Sequence, residues 1–155
     1  MVKYGKFVLN MEDIYMNITV VGIGYVGLVT GSVLSYIGHK VTCVDVDERK
    51  VNMLKNGTVP IYEPGLEELI LKNKDRIIYT TDYKNAYAMS DVIIIGVGTP
   101  EREDGSVNLD HVNLVCDQIA KSLQKDCIVV LKSTVPIGTN DEIEEKLNNE
   151  VREGI

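Results

Sequence analysis

The sequence predicts an α/β fold in a single domain: an open, doubly wound parallel sheet of strand order 3-2-1-4-5 with helices on both faces. Three observations carry that expectation. Short apolar runs alternate with segments of helical period from Met16 onward, the pattern of repeated strand–helix–strand crossovers. Gly22, Gly24 and Gly27 punctuate the exit from the first apolar run. The second apolar run ends on an acid, Asp45, eighteen residues beyond Gly27.

Ile18-Thr19-Val20-Val21 reads as the first strand, and it runs into Gly22-Ile23-Gly24-Tyr25-Val26-Gly27. Gly22 suits a tight turn, Gly24 leaves the backbone open to a phosphate, and Gly27 lets the next helix lie close to the sheet. Such a passage aims backbone N–H groups from a helix N-terminus, which is a seat for a pyrophosphate. Glycines at this spacing also occur at strand-to-helix turns that bind nothing, so the loop alone leaves both readings open.

After the loop, Val26, Leu28, Val29, Val33, Leu34 and Ile37 recur at helical spacing, and Gly38-His39 supplies the stop. His39 reads as a cap or surface residue. Lys40 to Asp45 is the second strand, and its terminal carboxylate stands where adenosine ribose hydroxyls are bound in folds of this winding. An acid there favours NAD over NADP by repelling a 2′-phosphate, an effect that the neighbouring Arg49 and Lys50 partly offset. Asp47 and Glu48 read as charges that complement the N-terminus of a second helix ending at Asn56-Gly57.

Two prolines interrupt regular structure between Val59 and Leu66, and a short helix follows over Glu67 to Lys72. Ile77 to Thr80 is a strand, Asp82 to Met89 a helix, and Asp91 to Val97 the most apolar strand of the chain. Gly98-Thr99-Pro100 closes that strand at the carboxyl edge, where ligands of such sheets collect. A polar turn over Glu101 to Val107 leads to a helix over Leu109 to Leu123, on whose first turn His111 reads as a surface residue. Cys127 to Leu131 is the fifth strand. Ser133 and Thr134, in Lys132 to Thr139, either contact a ligand or cap the last helix over Asp141 to Val151. Residues 1–15 show no clear period and read as an N-terminal extension to a domain over residues 16–155.

The net charge of -7, with 16 basic against 23 acidic side chains, argues against a nucleic-acid partner, which needs a basic face. A dinucleotide remains compatible, because backbone N–H groups can hold its pyrophosphate. No apolar run approaches the ~20 residues of a membrane span, and the N-terminal residues do not read as a signal peptide, so the expectation is a cytoplasmic protein without a membrane partner. Cys43, Cys116 and Cys127 lack metal-ligand spacing and read as buried free thiols in strand or helix interiors, and no metal is expected.

The stretches GIGYVGL at 22–28, VDVD at 44–47, PIYEPGLEEL at 60–69, GVGTP at 96–100 and KSTVPIGT at 132–139 together resemble the N-terminal, NAD-binding Rossmann-type domain of the UDP-glucose 6-dehydrogenase and GDP-mannose dehydrogenase family. The form of the STVPIGT and YEPGL stretches is more similar to UDP-glucose dehydrogenases, with GDP-mannose and UDP-N-acetylmannosamine dehydrogenases as further relatives. The resemblance implies that Tyr25 and Val26 offer backbone to the pyrophosphate, that Asp45 holds the adenosine ribose, and that Lys50 lies beside that ribose or its phosphate. It implies that Thr99 meets the middle of the cofactor, that Ser133 and Thr134 lie near the nicotinamide, and that Thr134 assists the chemistry by a hydrogen bond.

The family oxidises the C6 hydroxyl of a nucleotide-sugar to a carboxylate in two hydride transfers to NAD, with a cysteine of a separate downstream domain trapping the intermediate. None of Cys43, Cys116 or Cys127 lies in such a motif, so the implied behaviour of these residues is cofactor binding without turnover. An apolar patch that the rest of such an enzyme covers implies self-association, a homo-oligomer being one form of it. Two other readings share the glycine loop and the acid. A stand-alone NAD-binding regulatory module needs no hydroxyl cluster after the fifth strand, and a methyltransferase using S-adenosylmethionine is disfavoured by the full three-glycine spacing.

Overall fold

A computed structural model describes residues 15–151 of the chain. The extension expected at residues 1–15 therefore lies, except for Tyr15, outside the described residues. Five strands, β1 (Asn17–Val21), β2 (Lys40–Val44), β3 (Ile77–Thr80), β4 (Val92–Ile95) and β5 (Ile128–Leu131), pair in parallel in the order β3-β2-β1-β4-β5. The expected winding is the observed one. In register, Val21 stands beside Val44 on one side and Ile95 on the other, and Ile95 beside Leu131, so the strand exits share one edge.

Helix α1 (Tyr25–Tyr36) follows β1, α2 (Glu48–Lys55) and α3 (Leu66–Lys72) follow β2, and α4 (Tyr83–Ala88), α5 (Asp110–Ser122) and α6 (Thr139–Glu150) follow β3, β4 and β5 in turn. Parallel strands covered on both faces are apolar throughout rather than alternating, which is why Ile18, Val20 and Val21 are all buried. One core cluster joins Val20, Leu28, Val41, Cys43, Leu54 and Ile77. The other, across the sheet, joins Val21, Tyr87, Ile95, Cys116, Ile119 and Ile143.

Helix α1 departs from the periodic reading. Three of the expected apolar side chains turn away from the core: Val26, Val33 and Ile37, just past its end, are 50%, 44% and 60% exposed, while Val29 and Leu34 pack against it. Gly27, Leu28, Gly31, Ser32 and Ser35 are buried instead. The cause is a close approach to the sheet, since a Cβ on Gly31 would lie 2.7 Å from the Cys43 sulfur. Small residues set that spacing, and Val26 and Val33 are turned outward. The helix ends in a Schellman motif, with Gly38 N–H to the Ser35 carbonyl at 3.2 Å and His39 N–H to the Leu34 carbonyl at 3.1 Å. His39 is half-buried, and its Nδ1 accepts the Met16 N–H at 3.3 Å, tying the start of β1 to this turn.

Cys43 and Cys116 are buried free thiols as expected. Cys127 is only half-buried and precedes β5 rather than lying inside it, because the ladder of this edge strand begins with Ile128 N–H on the Asp91 carbonyl at 3.0 Å.

Candidate functional site

The exits of β1, β2, β4 and β5 build the carboxyl edge. Gly22 turns out of β1 with a φ of +96°, and a Cβ there would lie 2.7 Å from the Gly96 carbonyl oxygen, where β4 leaves the sheet beside it. A Cβ on Gly27 would lie 1.8 Å from the Gly22 oxygen. Both glycines are thus demanded by the chain's own backbone. Gly24 is different: its backbone is ordinary and extended, and nothing lies within 4 Å of the position a Cβ would take. The space in front of it is open. Gly24 caps α1 without a side-chain hydrogen bond, and the first turn of α1 carries no acid. Among the described residues no side chain of the helix's own first turn answers the positive end of its dipole, which suits an incoming anion.

Asp45, half-buried at the end of β2, reaches across to this loop. Its Oδ2 accepts the Ile23 N–H at 2.6 Å and its Oδ1 accepts the Asp47 N–H at 2.9 Å. Asp47 in turn caps α2 by accepting the Arg49 N–H at 3.0 Å, and it pairs with the Arg49 guanidinium at 3.1 Å. That pairing holds the Asp47 carboxyl below the usual carboxylate range. Arg49 is thereby engaged by Asp47, while Lys50 sits half-buried on the first turn of α2.

The exits of β4 and β5 are laced together. Ser133 Oγ donates to the Val97 carbonyl at 2.7 Å, and Thr99 Oγ1 donates to the Thr134 carbonyl at 2.8 Å. Thr134 is exposed beside them. The capping alternative for Ser133 and Thr134 does not hold, because Gly138 is the N-cap of α6 and no side chain caps it. The hydroxyls lie at the strand exits, several residues before that helix begins.

Sequence reasoning missed three contributors. The Ile23 N–H gave no signal, since any residue supplies one. Tyr25 Oη donates to the Tyr62 carbonyl at 3.0 Å, tying the proline-interrupted segment to the glycine loop. His111 is exposed, as expected, yet its Nδ1 lies 3.1 Å from the Gly98 carbonyl, so it also steadies the β4 exit. Its place on the first turn after GVGTP was the only available hint.

A cavity of about 960 Å³ lies elsewhere, between β5 and α6, lined by Val129, Leu131, Ile143 and Leu147 among others. Asp126, Asp141 and Glu144 line it too, but none of the polar groups gathered at the strand exits does. The open carboxyl edge does hold them, and that convergence rather than volume marks the candidate site. Among the described residues no group of three or more His, Cys, Asp or Glu is placed to hold a metal ion, and no helix is long and apolar enough to cross a membrane.

In doubly wound sheets a ligand lies where the strand order reverses, which here is between β1 and β4, beside the open space at Gly24. The class is a dinucleotide-binding α/β domain. The chain belongs to the UDP-glucose/GDP-mannose dehydrogenase family: residues 16–154 match its NAD binding domain. Among relatives, it is 52% identical over 128 residues to UDP-glucose 6-dehydrogenase YwqF of Bacillus subtilis, covering 81% of this chain and 29% of that protein. The UDP-glucose 6-dehydrogenase of Rhizobium meliloti is 50% identical over 132 residues, covering 83% and 30%. Among solved structures, a UDP-glucose dehydrogenase from Pyrobaculum islandicum superposes with a TM-score of 0.82 at 33% identity, covering 88% of this chain and 33% of that one. A GDP-mannose dehydrogenase from Pseudomonas aeruginosa gives 0.80 at 38% identity, covering 86% and 33%. The chain thus spans about three tenths of the length of the relatives it matches.

Proposed function

We propose that this chain seats NAD along the carboxyl edge of its sheet and serves as the cofactor domain of a nucleotide-sugar dehydrogenase that oxidises the C6 hydroxyl of UDP-glucose. The observation that carries the reading is the open approach to Gly24 at an uncapped helix N-terminus, with the Asp45 carboxylate beside it. The N–H groups of Gly24, Tyr25 and Val26 face the pyrophosphate. Asp45 accepts from the adenosine ribose, and Lys50 flanks it. Thr99 stands against the middle of the cofactor, with Ser133 and Thr134 at the nicotinamide end. Thr134, exposed at the β5 exit, is the residue proposed to assist the chemistry. NAD, when bound, accepts the hydride; these residues bind it, orient it and discriminate against a 2′-phosphate.

UDP-glucose is preferred over GDP-mannose on the 52% and 50% identity to two UDP-glucose 6-dehydrogenases. The nucleophilic cysteine of the reaction is assigned to another domain. Burial pushes the Cys43 thiol up to about 12, and Cys116 and Cys127 up to about 11, which keeps all three protonated and unreactive near neutral pH. Reduced thiols also suit the cytoplasmic setting included in this reading, as does a homo-oligomer formed through the exposed apolar surface of β5 and α1.

Calorimetric titration with NAD and NADP tests the proposal. NAD is expected to bind at least about tenfold more tightly than NADP, and Asp45→Ala to weaken NAD by about tenfold or more, the loss of a hydrogen bond to a charged group. Equal affinity for the two nucleotides, or binding of neither, would remove it.

A further inference from the structure

The carboxylate assigned to the ribose is already bonded to the glycine loop before any ligand arrives. Asp45 Oδ2 lies 2.6 Å from the Ile23 nitrogen, and Ile23 is 1% exposed. This amide sits between Gly22 and Gly24, the point at which the chain must stop being strand and start presenting N–H groups. Oδ1 meanwhile accepts the Asp47 N–H at 2.9 Å, so both oxygens are bonded within their own chain. On the other side of the same junction, Gly22 N–H bonds the Val44 carbonyl at 2.8 Å. Backbone and side chain of the β2 exit therefore grip the loop at two successive amides.

We infer that Asp45 is a positioning residue for the pyrophosphate seat as well as a ribose acceptor: by anchoring the Ile23 amide it sets the loop that presents the α1 N-terminus. The inference rests on the reading of this edge as an NAD site. Its physical basis is that a buried N–H deprived of its acceptor costs its full desolvation, so the loop would rearrange to find another. It also bears on cofactor choice. Replacing the acid to admit a 2′-phosphate would disturb the seat that both nucleotides use, and the gain for NADP would be offset.

A ligand without ribose separates the two roles. Inorganic pyrophosphate, titrated against the backbone amide resonances of Gly24 and Tyr25, would report the seat alone. Asp45→Ala is expected to weaken pyrophosphate at least about fivefold and to speed exchange of the Ile23 amide at least about tenfold, one hydrogen bond's worth. Asp45→Asn, which retains an acceptor, is expected to restore most of both. A carboxylate acting on ribose alone predicts the opposite sign, since removing a negative charge beside the seat would leave pyrophosphate binding unchanged or tighter in both variants. Unchanged Ile23 exchange, or unchanged or tighter pyrophosphate binding, in a folded Asp45→Ala protein overturns the inference. Loss of Ile23 protection in a wild-type-like fold whose parent binds neither pyrophosphate nor NAD would instead overturn the NAD reading and leave the anchoring role in place.

Discussion

Strands β1 and β5 are both short, parallel and apolar, yet they live in different surroundings. In β1, at the centre of the sheet, Val20 is 0% exposed, with α1 over one face and the α4–α6 layer over the other. In β5, at the edge, Val129 and Leu131 pack against the α5–α6 core while Ile128 and Val130 on the opposite face are 60% and 39% exposed. The proposed cofactor contacts divide along the same line. The glycine loop and Asp45 follow strands covered on both faces, whereas Ser133 and Thr134 follow the half-covered strand. An apolar sequence fixes that a strand wants cover; only the neighbouring elements decide whether it receives it.

Two truncations of the same residue type break or keep this contrast. Ile93, in β4, is 0% exposed, and Ile93→Ala is expected to cost about 3 kcal/mol, the lost transfer energy plus a cavity. Ile128→Ala should cost under about 0.5 kcal/mol, as at other exposed sites. Urea titration followed by circular dichroism measures both. Equal losses would mean that the outer face of β5 is covered in solution, by a second copy or by rearrangement, and light scattering would then tell which.

The glycine loop offers a sharper comparison within the well-packed half. Gly27→Ala drives a methyl group into the Gly22 carbonyl and should cost about 2 kcal/mol, despite alanine's better helix propensity. That corresponds to a melting temperature lower by about 4–8 °C. Gly24→Ala meets no atom of the described residues within 4 Å and keeps an ordinary backbone, so its melting temperature should stay within about 2 °C while NAD affinity falls severalfold. A Gly24→Ala protein that is as destabilised as Gly27→Ala would place that glycine in the fold's service instead of the ligand's.

Much of this was legible in the residues. Strand order followed from the alternation of apolar runs with helical segments, and the loop glycines with Asp45 marked the edge at which a ligand belongs. What escaped was decided by distances between backbones. Periodicity assigned Val26 and Val33 to the buried face of α1, because it counts apolar residues and cannot register that Gly27 and Gly31 bring the helix close to the sheet and leave those two valines facing outward. The hydroxyls of Ser133 and Thr134 were recognisable as a cluster and Thr99 as a strand-end residue, but Ser133 and Thr99 bond to the carbonyls of Val97 and Thr134. Backbone acceptors leave no trace in a side-chain sequence, and the same holds for the Ile23 amide under Asp45.

The two halves are also joined at the opposite edge, through Asp91 at the start of β4. Its carboxylate accepts the Asn17 N–H of β1 at 2.7 Å and pairs with Lys125 just ahead of β5. The Lys125 ammonium, and after it the Asn17 amide, hold the Asp91 carboxyl below its ordinary value. A depressed folded-state value means that the bond contributes fully above the unfolded carboxyl's pKa of about 4 and is lost as pH falls through the lower, folded one. Asp91→Asn should therefore cost under about 1 kcal/mol at pH 7, as befits a half-buried pair still screened by solvent, and make the acid limb of stability shallower below about pH 4. Denaturant titrations of both proteins at pH 7 and pH 2.5 would measure it, with the gap expected to shrink at the lower pH. A gap that persists unchanged at pH 2.5 would mean that Asp91 joins β1 to β5 by shape and neutral hydrogen bonding, and that charge has no part in holding the covered and half-covered strands together.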